Sequence, residues 1–359
     1  MNAQFDLGSK HLNCIKKTQE SILEVEKEFS YEKNPKEIIK KYLSMTFGQI
    51  PAESKIYDDY LGMTLSIEEL SKHDSLSAYV LLDQIVFREI LKTYTNSKSE
   101  NILSAIETIG LLCMEPGYSG INSLQTKAVK TNEGWQIHGI KMISNEQIYS
   151  DKFLVFAKDE ENKIRLFVIP EENIKVEETE KMISSSKIIV NQINLSCTVS
   201  EKQNIAVIND NFEKIHTVAR MLVAAASLGI AHSSLVKGIE VAKGTKNSKG
   251  ETLSSSQSIQ FTLADMFSEV EAARMLTYYC ADAIDKGKYN VKIASMAKVK
   301  ASEAANNVTN ETLHLIGNIG YISNSDFGSL IQRSIDSRVK GGTNRAQRTQ
   351  IYEYMLAKK

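Results

Sequence analysis

Proline is scarce in this 359-residue chain: there are four, and none follows Pro170. That absence permits long unbroken helices over the second half, because proline removes a backbone donor and clashes with the preceding turn. Cysteine is equally sparse. Cys14, Cys113, Cys197 and Cys280 make no C-x-x-C pair and have no clustered histidines near them, so neither a disulfide framework nor a zinc site is indicated and they are expected as packing thiols. An excess of one charge is also missing. Forty-three Lys and Arg face 44 Asp and Glu, a formal charge of -1, which implies no basic face and argues against a nucleic-acid partner. Residues 1–13 have no apolar core of the signal-peptide kind, and the longest apolar run, 221–231, is too short to cross a bilayer. The expectation is a soluble, cytoplasmic protein with no membrane partner.

What is present is pattern. In residues 255–283, Ile259, Leu263, Met266, Val270, Ala273, Leu276 and Cys280 recur in steps of three and four, which makes one apolar stripe along a long helix. Phe261 and Met275 lie on the other side. A helix apolar over more than half its circumference is expected inside a bundle. Its expected neighbours are helices over 213–243, 291–316 and 345–356. The Asp285-Lys286-Gly287-Lys288 turn sets the 255–283 helix antiparallel to the one over 291–316. The first third also reads as helices, over 36–43 and 65–91, with a polar interruption at 95–100 and a further short helix from Ile102 through Ile106.

Between these lie short runs rich in β-branched and aromatic residues: Trp135 to Gly139, Phe153 to Ala157, Ile164 to Ile169, 187–195 and 205–208. Turns such as Asn132-Glu133-Gly134 separate them. The fold expected is mostly α with a central β domain. It comprises an N-terminal helical domain (1–110, short), an antiparallel, barrel-like β domain (111–210) and a C-terminal four-helix bundle (211–359). The lysine- and glycine-rich stretch 243–252 lacks P-loop spacing and is expected as a mobile, solvated loop. His314 is expected as a half-buried, satisfied histidine.

Six local motifs occur in one order over about residue 65 to the C-terminus: Met114-Glu115-Pro116-Gly117, Gly139-Ile140-Lys141-Met142-Ile143-Ser144-Asn145, the alanine-rich 224–231, Gln257 with Phe261-Thr262-Leu263-Ala264-Asp265-Met266, Gly317-Asn318-Ile319-Gly320-Tyr321, and Gly342-Thr343. In this the chain resembles the acyl-CoA dehydrogenase family. The resemblance implies FAD, an acyl thioester substrate carried by CoA or a carrier protein, and oxygen or an electron-transfer partner as acceptor. It also implies a homo- or hetero-oligomer built as a dimer of dimers. By the same resemblance Leu111, Cys113 and Met114 line the isoalloxazine edge, the family's aromatic either becomes Ile143 or is deleted, and Ser144 or Asn145 approaches flavin N5. Gln257, His314, Gly317 and Gly320 face the FAD of a neighbouring subunit, Thr343 lies near the dinucleotide, and Lys246 replaces an arginine that grips pyrophosphate.

The family's general base is a carboxylate that removes the α proton. The residue preceding Gly342-Thr343 is Gly341, and the alternative position, before Arg220, is Ala219. Both base positions therefore lack a carboxylate, and Arg220 is left as a possible substrate contact. Dehydrogenation of an acyl thioester at its α,β bond is the expected activity. The alternatives are a non-catalytic or half-site subunit of a heteromeric complex, and a flavin-dependent monooxygenase of the same fold.

Overall fold

The computed structural model describes residues 7–28, 35–46, 59–95, 107–117, 120–144, 146–177, 191–208, 212–321 and 326–356. They form two compact units interleaved in sequence. One comprises residues 1–22, 55–78 and 216–359, the other 23–54 and 79–215. Helices come first: α1 (Ser9–Glu28), α2 (Pro35–Thr46), α3 (Tyr60–His73) and α4 (Ser75–Tyr94). The single helical run expected over 65–91 is thus two helices. Asp74 breaks it: its N–H donates to the Leu70 carbonyl at 2.8 Å, and its carboxylate accepts the N–H groups of Leu76 and Ser77. An aspartate that ends one helix and caps the next competes with the backbone for those donors. The expected helix at Ile102–Ile106 lies outside the described residues.

The second unit is built on an eight-stranded sheet: β1 (Ile109–Leu112), β2 (Lys127–Thr131), β3 (Gly134–Ile143), β4 (Lys152–Lys158), β5 (Ile164–Pro170), β6 (Lys175–Glu177), β7 (Asn191–Val199) and β8 (Asn204–Ile208). The order is β6-β7-β3-β2-β4-β5-β8, with β1 paired to β4. Most pairs are antiparallel as expected, but β1 runs parallel to β4, and β2 meets β4 in parallel at Lys127 and Lys158. Period-two alternation on β3 turns Trp135, Ile137, Lys141 and Ile143 to the buried face. Three of these are core residues and the fourth is a lysine. Phe153, Phe167 and Ile193 fill the core beside them. On α4, Gln84 donates to the Ile109 carbonyl and accepts its N–H, fixing the start of β1. Residues 187–190 of the expected seventh strand lie outside the described residues.

The first unit is helical. It contains most of α5 (Glu213–Gly244), with α6 (Gln257–Asp285), α7 (Val291–Ile316), α8 (Asp326–Ser337) and α9 (Asn344–Leu356). Helix α8 is absent from the sequence-based expectation. Its apolar residues Phe327, Leu330, Ile331 and Ile335 recur in steps of three and four over only twelve residues, and its buried positions also include Ser334 and Ser337, both bonded to carbonyls of their own helix. α5 is long and apolar enough to cross a membrane by length and composition, and 72% of its most apolar window is buried inside the chain. That burial is the signature of a core helix. Gly229 allows its close approach to α3: a Cβ there would lie 2.5 Å from the Glu68 carbonyl oxygen and 2.6 Å from Ser71 Cβ. A buried cluster joins α3 to α6, in which Glu68 accepts from Arg274 Nε at 2.9 Å and from the Tyr278 hydroxyl at 2.8 Å.

The expectation that α6 is enclosed on most sides is corrected. Met266, Val270, Ala273 and Cys280 are buried, but Phe261, Phe267, Met275 and Tyr279 are 40–60% exposed. The stretch 243–252 is an ordered turn, closed by a bridge between Lys246 and Thr252 and by the Asn247 side chain accepting two backbone N–H groups. Of the cysteines, Cys113 is exposed and is no packing thiol.

Candidate functional site

In the sheet unit two sequence motifs meet through charge. Lys141 reaches along the buried face of β3, and its Nζ lies 2.7 Å from Glu115 Oε1. The same carboxylate accepts the Thr126 hydroxyl at 2.6 Å and the N–H groups of Thr126 and Gln125. Burial pushes the Glu115 carboxyl up, but the Lys141 ammonium and these donors outweigh it and hold it below the usual carboxylate range. Gly139 makes room for the arrangement, since a Cβ there would stand 2.4 Å from Thr126 Oγ1. Beside it the Met114 carbonyl accepts the Met142 N–H at 2.9 Å.

These contacts bring together Leu111, half-buried, and Cys113 and Met114, both exposed, with Ser144 close by. Gln147 completes the link. Its amide donates to the Leu111 carbonyl at 3.0 Å and its oxygen accepts the Ser144 N–H at 3.2 Å. Apolar side chains open to one side next to a hydroxyl suit the edge of a flat aromatic heterocycle such as a flavin. The Ser144 hydroxyl, however, already donates to Glu146, so its proton is engaged. Ile143 is fully buried in the sheet core, which leaves only its backbone for a ligand. Asn145 lies outside the described residues.

In the helical unit the Gly341 turn is tied down from three sides. Lys298, on α7 with its side chain fully buried, donates from Nζ to the carbonyls of Arg338 at 3.0 Å and Gly342 at 2.9 Å, and to Asn344 Oδ1 at 2.7 Å. Gln347 donates to the Gly341 carbonyl at 3.1 Å. Gly341 and Gly342 have φ of +69° and +94°, which the turn requires and glycine permits. One turn before Lys298, Ser295 Oγ accepts from Arg220 Nη1 at 3.0 Å. Val223, on the same face of α5 as Arg220, comes within 3.3 Å of the place a Gly341 Cβ would occupy. Arg220, Lys298 and Gly341 therefore converge, with Ala219 half-buried beside Arg220.

The electrostatics here are one-sided. Burial pushes the Lys298 ammonium down to about 7, helped by Arg220 and Arg338, and it pushes Arg220 down to about 10. His216, one turn before Arg220, is driven to about 4 by burial and by that guanidinium. Among the described residues no carboxylate lies within ion-pair distance of Arg220 or Lys298. Glu303, which acts on Lys298 from farther off, is bonded to Arg348.

The other residues singled out from sequence occupy surface positions of this unit. Gln257 is the exposed first residue of α6, and Lys246 is exposed in its turn. The Thr343 hydroxyl accepts the Ala346 N–H at 3.1 Å and caps α9. His314 is exposed, not half-buried, with Nδ1 3.9 Å from a Glu311 oxygen. Gly317 ends α7 with φ of +70°, and Gly320 is buried. A cavity of about 840 Å³ among α1, α3, α5 and α6, lined by Glu68, Arg274 and Tyr278, includes none of them.

Sequence reasoning misses Ser295, Lys298, Gln347 and Gln147. For Lys298 a signal exists: it stands on the stripe Ala294, Ala297, Ala301, Ala305, where a lysine must find partners.

Comparison with known proteins agrees with this architecture. The sequence model of the family described as "Acyl-CoA dehydrogenase, C-terminal domain" matches residues 211–356. Cyclohexane-1-carbonyl-CoA dehydrogenase of Geobacter metallireducens is 26% identical over 81% of this chain and 80% of its own. The caffeyl-CoA reductase-Etf complex subunit CarC of Acetobacterium woodii is 25% identical over 95% and 94%. The structure of butyryl-CoA dehydrogenase from Megasphaera elsdenii shares the fold, with a TM-score of 0.84 at 22% identity over 99% of this chain and all of that one. In motif order and in fold the chain resembles the acyl-CoA dehydrogenase family, and its residues 211–356 match that family's C-terminal domain.

Proposed function

We propose that this chain binds FAD and acts on the α,β bond of an acyl thioester, carried by CoA or by a carrier protein. The observation that carries the reading is the Glu115–Lys141 pair, which locks the two motifs around Leu111, Cys113, Met114 and Ser144 into one lip. Both curated relatives described above act, by name, on CoA thioesters.

FAD, when bound, supplies the acceptor for a hydride from the β carbon. Leu111, Cys113 and Met114 would bear on its ring system, with Ser144 or Asn145 at the polar edge. Within the helical unit, Lys246 and Thr343 would meet a dinucleotide, and Gln257, His314, Gly317 and Gly320 that of an adjacent subunit. The exposed Phe261, Met275 and Tyr279 on α6 supply an apolar face for such a subunit. Arg220 and Lys298 would orient an anionic part of the substrate.

The test has two steps. Visible absorption of the purified protein reports whether flavin is bound. Anaerobic mixing with a panel of acyl thioesters should then bleach the oxidised flavin; a flavin-loaded protein that no thioester bleaches refutes the activity. The heteromeric reading has its own support, because Gly341 and Ala219 carry no carboxylate. On that reading the chain alone is inactive and gains activity only with a homologue that bears the base.

A further inference from the structure

Arg220 is 4% exposed, and among the described residues its Nε has no hydrogen-bond partner and its one bonded partner is the Ser295 hydroxyl, a neutral group. All three acceptors around Lys298 Nζ are also neutral. Two buried cations without a counter-charge are costly, because a charge removed from water must be paired or neutralised. Deeply buried arginine cannot escape by losing its proton at physiological pH. Gly341 precedes Gly342, whose carbonyl Lys298 holds, and faces Val223, one turn along α5 from Arg220; it has no side chain to offer either cation.

We propose that the space bounded by Arg220, Lys298 and Gly341 is a receptor for a carboxylate brought by the ligand, standing where this chain has no carboxylate of its own. This rests on the acyl-thioester reading only for the source of the carboxylate, which is the acyl group of the substrate. A carboxylate suits the site better than a spherical anion. The unpartnered Arg220 Nε offers a directed donor beside a guanidinium fork whose plane matches two oxygens. A free small carboxylate shares that chemistry and is separated from the acyl source by experiment.

Calorimetry on the full-length, flavin-assayed protein compares malonyl-, succinyl- and glutaryl-CoA with propanoyl-, butanoyl- and pentanoyl-CoA. At least one charged thioester should bind about tenfold or more tighter than its uncharged counterpart, the size of one or two charge-assisted hydrogen bonds. In Arg220→Gln that ratio should fall to near one, and Arg220→Lys should recover part of it. A second arm needs neither thioester nor flavin. Sodium acetate, at ionic strength matched with sodium chloride, should raise the melting temperature of the wild type and not of Arg220→Gln. Gly341→Glu, which supplies a carboxylate internally, should abolish both the ratio and the acetate shift with Arg220 intact.

An Arg220-dependent acetate shift with no preference among the thioesters supports the site with a free carboxylate as its occupant. Ratios near one with no such shift, equal shifts from chloride and acetate, or a ratio and shift that persist in Gly341→Glu all overturn the proposal. If no thioester of either kind binds, the acyl-thioester reading falls, and the acetate arm alone decides the receptor.

Discussion

Glu115 and Lys141 form an ion pair of 2.7 Å with both side chains essentially out of solvent, 3% and 0% exposed. Among the described residues neither charge has a second counter-ion, so removing one leaves the other buried without an ion partner. Lys141→Met should therefore destabilise the sheet unit by about 3–5 kcal/mol, the cost of breaking rather than replacing a buried pair. The double variant Glu115→Gln, Lys141→Met should recover part of that loss. Urea unfolding followed by tryptophan fluorescence measures both, since Trp135 lies in the same core. A single-variant loss below about 1 kcal/mol would mean that water reaches the pair.

The same carboxyl sets an acid limit. Its folded-state value lies below the ordinary one, so its contribution is fully present above the unfolded-state value near 4.3 and is lost as pH falls through the folded one. Asp151, held at about 2 against burial by Thr108, Lys40 and Lys36, acts in the same direction. Melting temperatures should fall steeply below about pH 4.5, and Glu115→Gln should flatten the upper part of that fall.

Gly229 tests the helix crossing. Alanine ordinarily gains about 1 kcal/mol over glycine inside a helix. Here a Cβ would meet a backbone carbonyl of α3 at 2.5 Å, and backbone cannot rotate away. Overpacking of about 1–3 kcal/mol should win, so Gly229→Ala is expected to lower the urea midpoint. A rise would show that α3 and α5 can separate at no cost.

Much of the fold is readable from residue order because helices α5, α6 and α7 carry long apolar spacing without proline, and β3 to β5 carry period-two runs between turns. The failures have local causes. Asp74 breaks a continuous apolar pattern through its carboxylate, and α8 buries serines that read as turn residues. For the candidate site, the motifs containing Glu115 and Lys141 are visible, but their meeting depends on sheet register. Lys298 and Gln347 belong to no motif at all. They act because α7 and α9 bring them to one turn, a relation that no spacing within either helix encodes.

Lys298 makes a prediction of opposite sign to Glu115. Its folded-state value, about 7, lies below that of a free lysine, so the unfolded chain holds the proton more tightly. The penalty is complete below pH 7, and stability rises with pH from about 7 towards about 10 as the unfolded chain, too, releases it. Denaturant unfolding from pH 6 to 9.5 should show this rise. Lys298→Met should remove it while loosening the turn its Nζ holds. A slope that survives the substitution would assign it to another group.

Gly341→Glu asks whether the missing carboxylate is all that separates this chain from ordinary dehydrogenation. A side chain at φ +69° costs about 1 kcal/mol, and the 3.3 Å approach to Val223 Cγ2 involves a side-chain methyl that can shift. The variant should therefore fold. Arg220 and Lys298 would hold the new carboxylate ionised well below neutral pH, which is the form that accepts a proton. Turnover of an uncharged substrate such as butanoyl-CoA should rise by about 10²- to 10⁴-fold, the usual contribution of a positioned base. The gain should extend to mildly acidic pH because the carboxylate stays charged there. A folded, flavin-loaded variant with no gain would place the chain's limit elsewhere than at Gly341.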